Sequence, residues 1–224
     1  MTLKIDFKKS LPGYQAPSGE YQIVEIPDRH YMMIDGQGDP NTSEEYSASL
    51  AALYPVAYAL KFASKNELDR DYVVPPLEGL WWAEDMSVFT SSRDSSRWRW
   101  TLMLLVPDWI DDERISAAIA AVRAKSSPLR LDALRLETLV EGRCVQTLHL
   151  GSFEEEGRTL EPMHRDFMPS HGLEPTGKHH EIYLSDPRRT AAGKLRTILR
   201  QPVGQAKPHG LQPGVAPPEA PWRG

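Results

Sequence analysis

Lys178-His179-His180-Glu181-Ile182-Tyr183-Leu184-Ser185-Asp186-Pro187 reads as a β-strand with two chemically different faces. Ile182, Tyr183 and Leu184 favour extended backbone, and the run is bounded by Gly177 before it and Asp186-Pro187 after it. Side chains alternate along a strand, so Glu181 and Tyr183 share one face while His180 and Ile182 take the other. A carboxylate beside a phenol on a half-buried face is the least ordinary feature of the chain. The plain alternative is a rim strand with a solvated glutamate. Far upstream, Pro75-Pro76-Leu77-Glu78-Gly79-Leu80-Trp81-Trp82-Ala83-Glu84-Asp85 forms a counterpart strand, with two adjacent tryptophans and a second acid.

Around these two strands the chain repeats itself. Residues 22–25 and 30–35 read as short strands around Pro27-Asp28, and Gly36-Gln37-Gly38-Asp39-Pro40 turns the chain. Thr42-Ser43-Glu44-Glu45 is a capping box, in which hydroxyl and carboxylate each satisfy a backbone donor. Behind it Tyr46, Leu50, Leu53, Ala57 and Leu60 fall at helical spacing, with Pro55 removing one backbone hydrogen bond. Asp94-Ser95-Ser96 supplies turn chemistry between the tryptophan strand and a second strand, 97–106, so the two are expected to form a hairpin. In that second strand Trp98, Trp100, Leu102, Leu104 and Val106 share one face, and both tryptophans are read as core. Asp111-Asp112-Glu113 opens a connector helix, about 111–124, that buries Ile115, Ala118, Ile119 and Val122.

The second half begins with strands 134–140 and 144–150 around Glu141-Gly142, and Gly151 turns the chain. Ser152-Phe153-Glu154-Glu155 is a second capping box, opening a helix with Leu160, Met163 and Phe167 on one face. A loop over 172–177, the Glu181 strand and a last strand at 194–203 complete it. Strand, strand, helix, strand, strand thus occurs twice, each helix preceded by paired strands. That predicts an α+β domain, 21–203, of two similar halves, about 21–106 and 130–203, with a groove between them. Residues 1–20, broken by Pro12, Gly13, Pro17 and Gly19, read as a loosely docked lead-in. Residues 204–224 read as a disordered Pro/Gly-rich tail.

Composition narrows the function. The 224-residue chain has net charge −5 and no basic block, so no nucleic-acid partner is expected. A single cysteine, Cys144, excludes an intramolecular disulfide framework and fits a reducing compartment. The N-terminus has no apolar signal core, and the longest apolar run, 102–107, is too short to span a bilayer. The expectation is a soluble, cytoplasmic monomer or homodimer with no membrane partner. His149, His164, His171, His179 and His180 lack metal-ligand spacing, so neither a metal nor another cofactor is expected. Gly36-Gln37-Gly38 lacks the third glycine of a nucleotide loop, no Gly-x-Ser-x-Gly elbow occurs, and Cys144 shows no sign of activation.

If the halves are aligned on their central strands, Trp82 matches Tyr183 and Leu80 matches Glu181. The groove would then carry tryptophan from the first half and the Glu-Tyr pair from the second. Successive residues point oppositely, so one of Trp81 and Trp82 faces the groove and the other does not. Ring faces offer flat apolar walls, and a carboxylate among them attracts cations or accepts a proton. Desolvation there raises the pKa of Glu181, as a general base near neutral pH requires.

These residues resemble the GyrI-like small-molecule-binding proteins, in the stand-alone branch. The resemblance runs from about residue 21 to 203. It is carried by Tyr54-Pro55-Val56-Ala57-Tyr58, by Pro76-Leu77-Glu78-Gly79-Leu80-Trp81-Trp82 and by His179-His180-Glu181-Ile182-Tyr183-Leu184-Ser185-Asp186-Pro187-Arg188-Arg189. It implies a fold of duplicated β-α-β-β, SHS2-like halves, with ligand bound between them and an acid at the position of Glu181 facing cationic aromatic drugs. It also implies kinship with a sub-group that hydrolyses the cyclopropane of DNA-alkylating antibiotics within an aromatic cage. The candidate catalytic residues are Glu181 and Tyr183. The candidate ligand-binding residues are Trp81, Trp82, Glu78, His179, Tyr54 and Tyr58. Planar aromatic xenobiotics are the expected ligands, with hydrolysis as an added activity. A non-catalytic sequestering or sensing domain, or an inhibitor that interacts with gyrase, are the alternatives.

Overall fold

The computed structural model describes residues 4–84 and 94–206. The expected tail beyond residue 206 and part of the segment joining the two tryptophan-bearing strands lie outside the described residues. One antiparallel sheet organises everything else. Its strands are β1 (Gln22–Ile26), β2 (Arg29–Gln37), β3 (Glu78–Trp82), β4 (Arg99–Leu105), β5 (Arg135–Leu139), β6 (Gly142–Leu150), β8 (His179–Tyr183) and β9 (Arg196–Gln205). They lie in the order β1-β6-β9-β8-β3-β4-β2-β5, and a short β7 (Leu173–Pro175) pairs with β9. That β7 falls inside the stretch expected to be a loop.

The order is symmetric about the β3–β8 seam. Reading outward, β3, β4, β2 and β5 on one side answer to β8, β9, β6 and β1 on the other. The duplicated α+β architecture is therefore present, but each half lends its first strand to the other. β1 pairs with β6, and β5 pairs with β2. The expectation that each helix is preceded by two mutually paired strands is corrected. Only Pro27 and Asp28 separate β1 from β2. A two-residue hairpin needs positive φ in its turn, which the ring of Pro27 forbids, so the chain passes on to the other half.

Among the helices, α1 (Phe7–Ser10) belongs to the lead-in, α2 (Glu44–Glu67) to the first half, and α3 (Asp112–Lys125) is the connector. Helix α2 starts one residue later than a Thr42 cap would have it. Ser43 Oγ accepts from the Tyr46 N–H at 3.2 Å. Glu45 accepts from the Gln37 N–H at 3.2 Å and pairs with Arg130, so its carboxylate is not available to close a box. Ala52, Leu53, Val56, Ala57 and Leu60 bury the inner face of α2, and Pro55 sits within it. Asp111 caps α3 through the Arg114 N–H at 2.9 Å.

The second-half box does close, with Glu155 accepting from the Ser152 N–H at 3.4 Å. The helix behind it is interrupted. A 3₁₀ turn (Phe153–Glu155) leads into α4 (Gly157–Pro162), a π turn (Met163–Phe167) and α5 (Met168–Ser170). Pro162 and Pro169 withhold the N–H donors that a continuous helix needs.

Two further expectations are corrected. β4 is buried on both faces, since Thr101 and Met103 are as enclosed as Trp100, Leu102 and Leu104. The lead-in is firmly docked: Phe7 and Tyr14 join the core, and Ile5 exchanges backbone hydrogen bonds with Asp71 and Val73 at 3.0 and 2.8 Å. Tyr14 and Gly13 reach the sheet face opposite the helices, so both faces of the central strands are covered. No helix among the described residues is long and apolar enough to cross a membrane.

Candidate functional site

The register of the central seam decides which side chains meet. Gly79 lies opposite Glu181 and Trp81 opposite His179, whereas Glu78 lies opposite Ile182 and Leu80 opposite His180. Cross-strand partners share a face. Trp81, His179, Glu181 and Tyr183 therefore point together toward the helices, and Glu78, Leu80, Trp82 and His180 point away. Over the first set lies a cavity of about 1370 Å³, large enough for a multi-ring ligand. Helix α2 supplies one wall with Tyr46, Leu50, Tyr54 and Tyr58. The interrupted helix supplies the other with Phe153, Glu156, Leu160 and His164. The site lies between the duplicated halves.

At the floor three groups form a chain. Trp81 Nε1 donates to the Tyr183 hydroxyl at 2.9 Å, and that hydroxyl donates to Glu181 Oε2 at 2.7 Å. Gly79 makes this possible. A Cβ there would sit 2.8 Å from Trp81 Nε1 and 3.1 Å from the Tyr183 oxygen, so any side chain would push the indole off the phenol. Phe153 closes edge-on over Tyr183 at 5.7 Å between ring centres, and Trp98 stands edge-on to Trp81 at 6.0 Å. Trp98 thus borders the cavity, while Trp100 is core.

Burial pushes Glu181 up to about 7, against the lowering effect of the Tyr183 hydrogen bond and the charge of His180. Burial and the neighbouring Glu181 charge raise Tyr183 well above the ordinary phenol range. His179 is held down to about 3 by burial, so it is neutral, and neither of its ring nitrogens has a hydrogen-bond partner among the described residues. Its Nε2 lies 3.6 Å from Glu181 Oε1.

Sequence reasoning missed Glu156. It is buried, lines the same cavity, and its pKa is raised well above normal by burial and then by the charge of Glu181. A signal was present. Leu160, Met163 and Phe167 define the inward helical stripe, and one turn further back that stripe falls on Glu156, hidden among three consecutive glutamates.

Of the candidate ligand-binding residues, Trp81, His179, Tyr54 and Tyr58 line the cavity with Glu181 and Tyr183. Glu78 and Trp82 do not. Trp82 is on the opposite face, with the Lys178 ammonium 3.3 Å from its ring centre. Glu78 is fully buried and accepts from the hydroxyls of Tyr14 and, at 3.2 Å, of Tyr31. The match of Trp82 with Tyr183 fails by one residue, because a twofold axis through the sheet must keep a side chain on its face.

Behind the floor, His180 Nε2 is 2.9 Å from Glu78 Oε2 and His180 Nδ1 is 2.9 Å from Glu141 Oε1. Carboxylates only accept, so both ring nitrogens donate and the ring is an imidazolium. Burial would lower the His180 pKa, but the two carboxylates outweigh it and raise it. Arg200 completes the group, donating to Glu141 Oε2 at 2.8 Å and to Gln146 Oε1 at 3.1 Å.

The register yields a paired prediction. Stacking on an aromatic is worth about 1–3 kcal/mol, a scale taken from nucleobases. Trp81→Ala should therefore weaken binding of a planar aromatic ligand about tenfold or more, measured by calorimetric titration. Trp82→Ala should leave that affinity within about twofold, because the ring is on the other side of the sheet; equal losses would refute the assignment of faces.

A duplicated sheet with a ligand-sized cavity over its seam defines a small-molecule-binding architecture. The chain belongs to the GyrI-like family: residues 102–203 match the GyrI-like small molecule binding domain. No curated protein matches the chain. Among solved structures, an uncharacterized conserved protein from Listeria innocua is 40% identical, with a TM-score of 0.81, covering 90% of this chain and 100% of that one. A hydrolase from Listeria innocua is 39% identical, with a TM-score of 0.78 and the same coverage. A further Listeria innocua hydrolase structure is 38% identical, with a TM-score of 0.80 and again the same coverage.

Proposed function

We propose that the protein binds planar aromatic xenobiotics in the cavity between its halves and hydrolyses those that carry a strained cyclopropane conjugated to a carbonyl. The observation that carries this reading is the Glu181 carboxylate at the floor of an aromatic-walled cavity, hydrogen-bonded to Tyr183 and through it to Trp81. Relatives of this length and fold that are named hydrolases support it.

Such a substrate needs little from the protein beyond orientation, a base and a place for developing charge. Water's oxygen bonds to the ring methylene as the strained C–C bond breaks. The electron pair of that bond runs through the conjugated system onto the carbonyl oxygen. Glu181 takes the proton leaving the water and gives it up to solvent. The carbonyl oxygen takes one proton back from solvent, so that one water is added to give the neutral ring-opened alcohol and Glu181 is restored. Tyr183 donates a hydrogen bond to that oxygen as charge develops, exchanging the one it gives Glu181 in the free protein. The Trp81, Tyr54 and Tyr58 rings hold the flat body of the substrate, and neutral His179, whose ring nitrogens make no hydrogen bond among the described residues, offers them to polar substituents.

The test is to incubate the protein with a planar, cyclopropane-bearing conjugated ketone and follow loss of its chromophore, with appearance of the alcohol by mass spectrometry. Turnover beyond one equivalent is expected. Binding without turnover would leave a sequestering domain, a reading favoured by the ability of an ionised Glu181 among aromatic walls to hold a lipophilic cation.

A further inference from the structure

We infer that Glu156 is the proton-holding partner of Glu181: its carboxyl keeps a proton and donates it in a hydrogen bond to Glu181, leaving Glu181 as the carboxyl that ionises toward a bound molecule. Its catalytic consequence rests on the hydrolase reading, but the pairing is a property of the free protein.

Both side chains line one cavity, Glu156 from the entry to α4 and Glu181 from the floor. Glu156 is only 6% exposed, and its Oε1 meets no donor among the described residues. After burial, the charge of Glu181 is the largest cause of the raised Glu156 pKa, so the two carboxyls bear directly on each other. Two carboxylates so placed cannot both ionise, and a single proton between them removes the repulsion and satisfies the orphaned oxygen. Surroundings decide which one keeps it. Glu181 accepts the Tyr183 hydroxyl and has the His180 imidazolium behind its strand. Glu156 has only the weaker lowering influence of Thr197 on β9, whose hydroxyl makes no hydrogen bond among the described residues, and has the charge of Glu154 against it. The other titratable groups around the pair are Tyr46 from α2, His179 on β8 and His164 on the interrupted helix. Burial lowers the pKa of both histidines. His180 is thus the only positive charge near the pair among these groups, and it stands on Glu181's strand.

Glu156 acts through Glu181 and is a positioning residue, so its signature lies in a titration. The full chain, labelled with carboxyl-¹³C glutamate, is titrated by NMR as wild type, E156Q and E156L. Glutamine keeps a neutral donor, so Glu181 should still titrate near the value of about 7 that it has beside a neutral Glu156. Leucine removes the donor, so Glu181 should move to higher pH. The wild type should show one more raised carboxyl than E156Q. The acid limb of kcat/KM for the cyclopropane substrate should follow, unmoved in E156Q and alkaline-shifted in E156L. A Glu181 of ordinary carboxylate range in E156Q, or one unmoved in E156L, overturns the inference. Should E156L not fold, the wild-type and E156Q titrations decide alone. Expected titrations without any turnover would fail the hydrolase reading and leave the pair standing.

Discussion

Glu181→Gln is expected to lose about 10²–10⁴-fold in turnover of a cyclopropane substrate while keeping its affinity for a neutral planar ligand. The glutamine has the same shape and can still accept the Tyr183 hydroxyl, which now donates at 2.7 Å, so the floor should survive the change. What goes is the basic oxygen. Because burial pushes Glu181 up to about 7, wild-type turnover should climb as pH rises through that value, and the residual activity of the variant should not. Equal rates in wild type and variant would remove Glu181 from the mechanism.

The same substitution has a stability signature of the opposite sense. In the unfolded chain Glu181 releases its proton near 4.5, but in the fold near 7. Between those values the unfolded state binds fewer protons, so this group's contribution to stability falls as pH rises. Glu181→Gln removes that loss and should raise the urea midpoint at pH 8 more than at pH 4. A carboxylate held where it is uncomfortable is the kind of local cost that active sites carry.

Much of this was open to reading in the chain. Period-two alternation places Glu181 with Tyr183 and separates Trp81 from Trp82, and the sheet keeps the first pair on one face and splits the second. Helical spacing found α2, and the repetition of element types announced the duplication. The failures share one cause: local pattern specifies an element but not its partner. Nothing in residues 22–26 says that they pair with the other half. Glu78 stands in the 76–82 motif that carries the family resemblance. Whether it faces Glu181 depends on the register between β3 and β8, which puts Gly79 opposite Glu181. Glu156 lay within a run of acids that reads as a solvated, helix-capping face. The interrupted helix, with its π turn, reads as a regular one because Leu160, Met163 and Phe167 keep nearly helical spacing through the break.

The buried network behind the floor could not have been anticipated, since it gathers Gly13, Tyr14, Tyr31, Glu78, Glu141, Gln146, His180 and Arg200 from across the chain. It carries the largest expected effect on stability. Arg200 is 1% exposed, and its guanidinium also donates to the Gly13 carbonyl. Arg200→Met keeps the bulk of the stem but leaves Glu141 with His180 as its only cationic partner in the network. Removing one member of a buried ionic group typically costs about 3–5 kcal/mol, because the remaining charge stays buried. Urea denaturation at pH 7 should show a loss of that order; a loss below about 1 kcal/mol would mean that water or a rearranged side chain replaces the guanidinium. The pH dependence sharpens the test. Burial alone would raise Glu141, but His180 and Arg200 hold it at about 2 in the fold. Its contribution is therefore present above the unfolded value of 4.5 and lost as pH falls toward 2. His180, whose pKa is raised, contributes fully below 6.5, and its share fades as pH climbs through the folded value. The network should stabilise most between those limits, and Arg200→Met should flatten the acid side, since Glu141 then titrates nearer its unfolded value. The same variant loosens the Gly13 end of the lead-in and disturbs the partner of His180, the charge that helps Glu181 ionise. Because the Arg200 charge lowers the His180 pKa, its loss should keep His180 charged to higher pH, so the acid limb of turnover should not move toward higher pH.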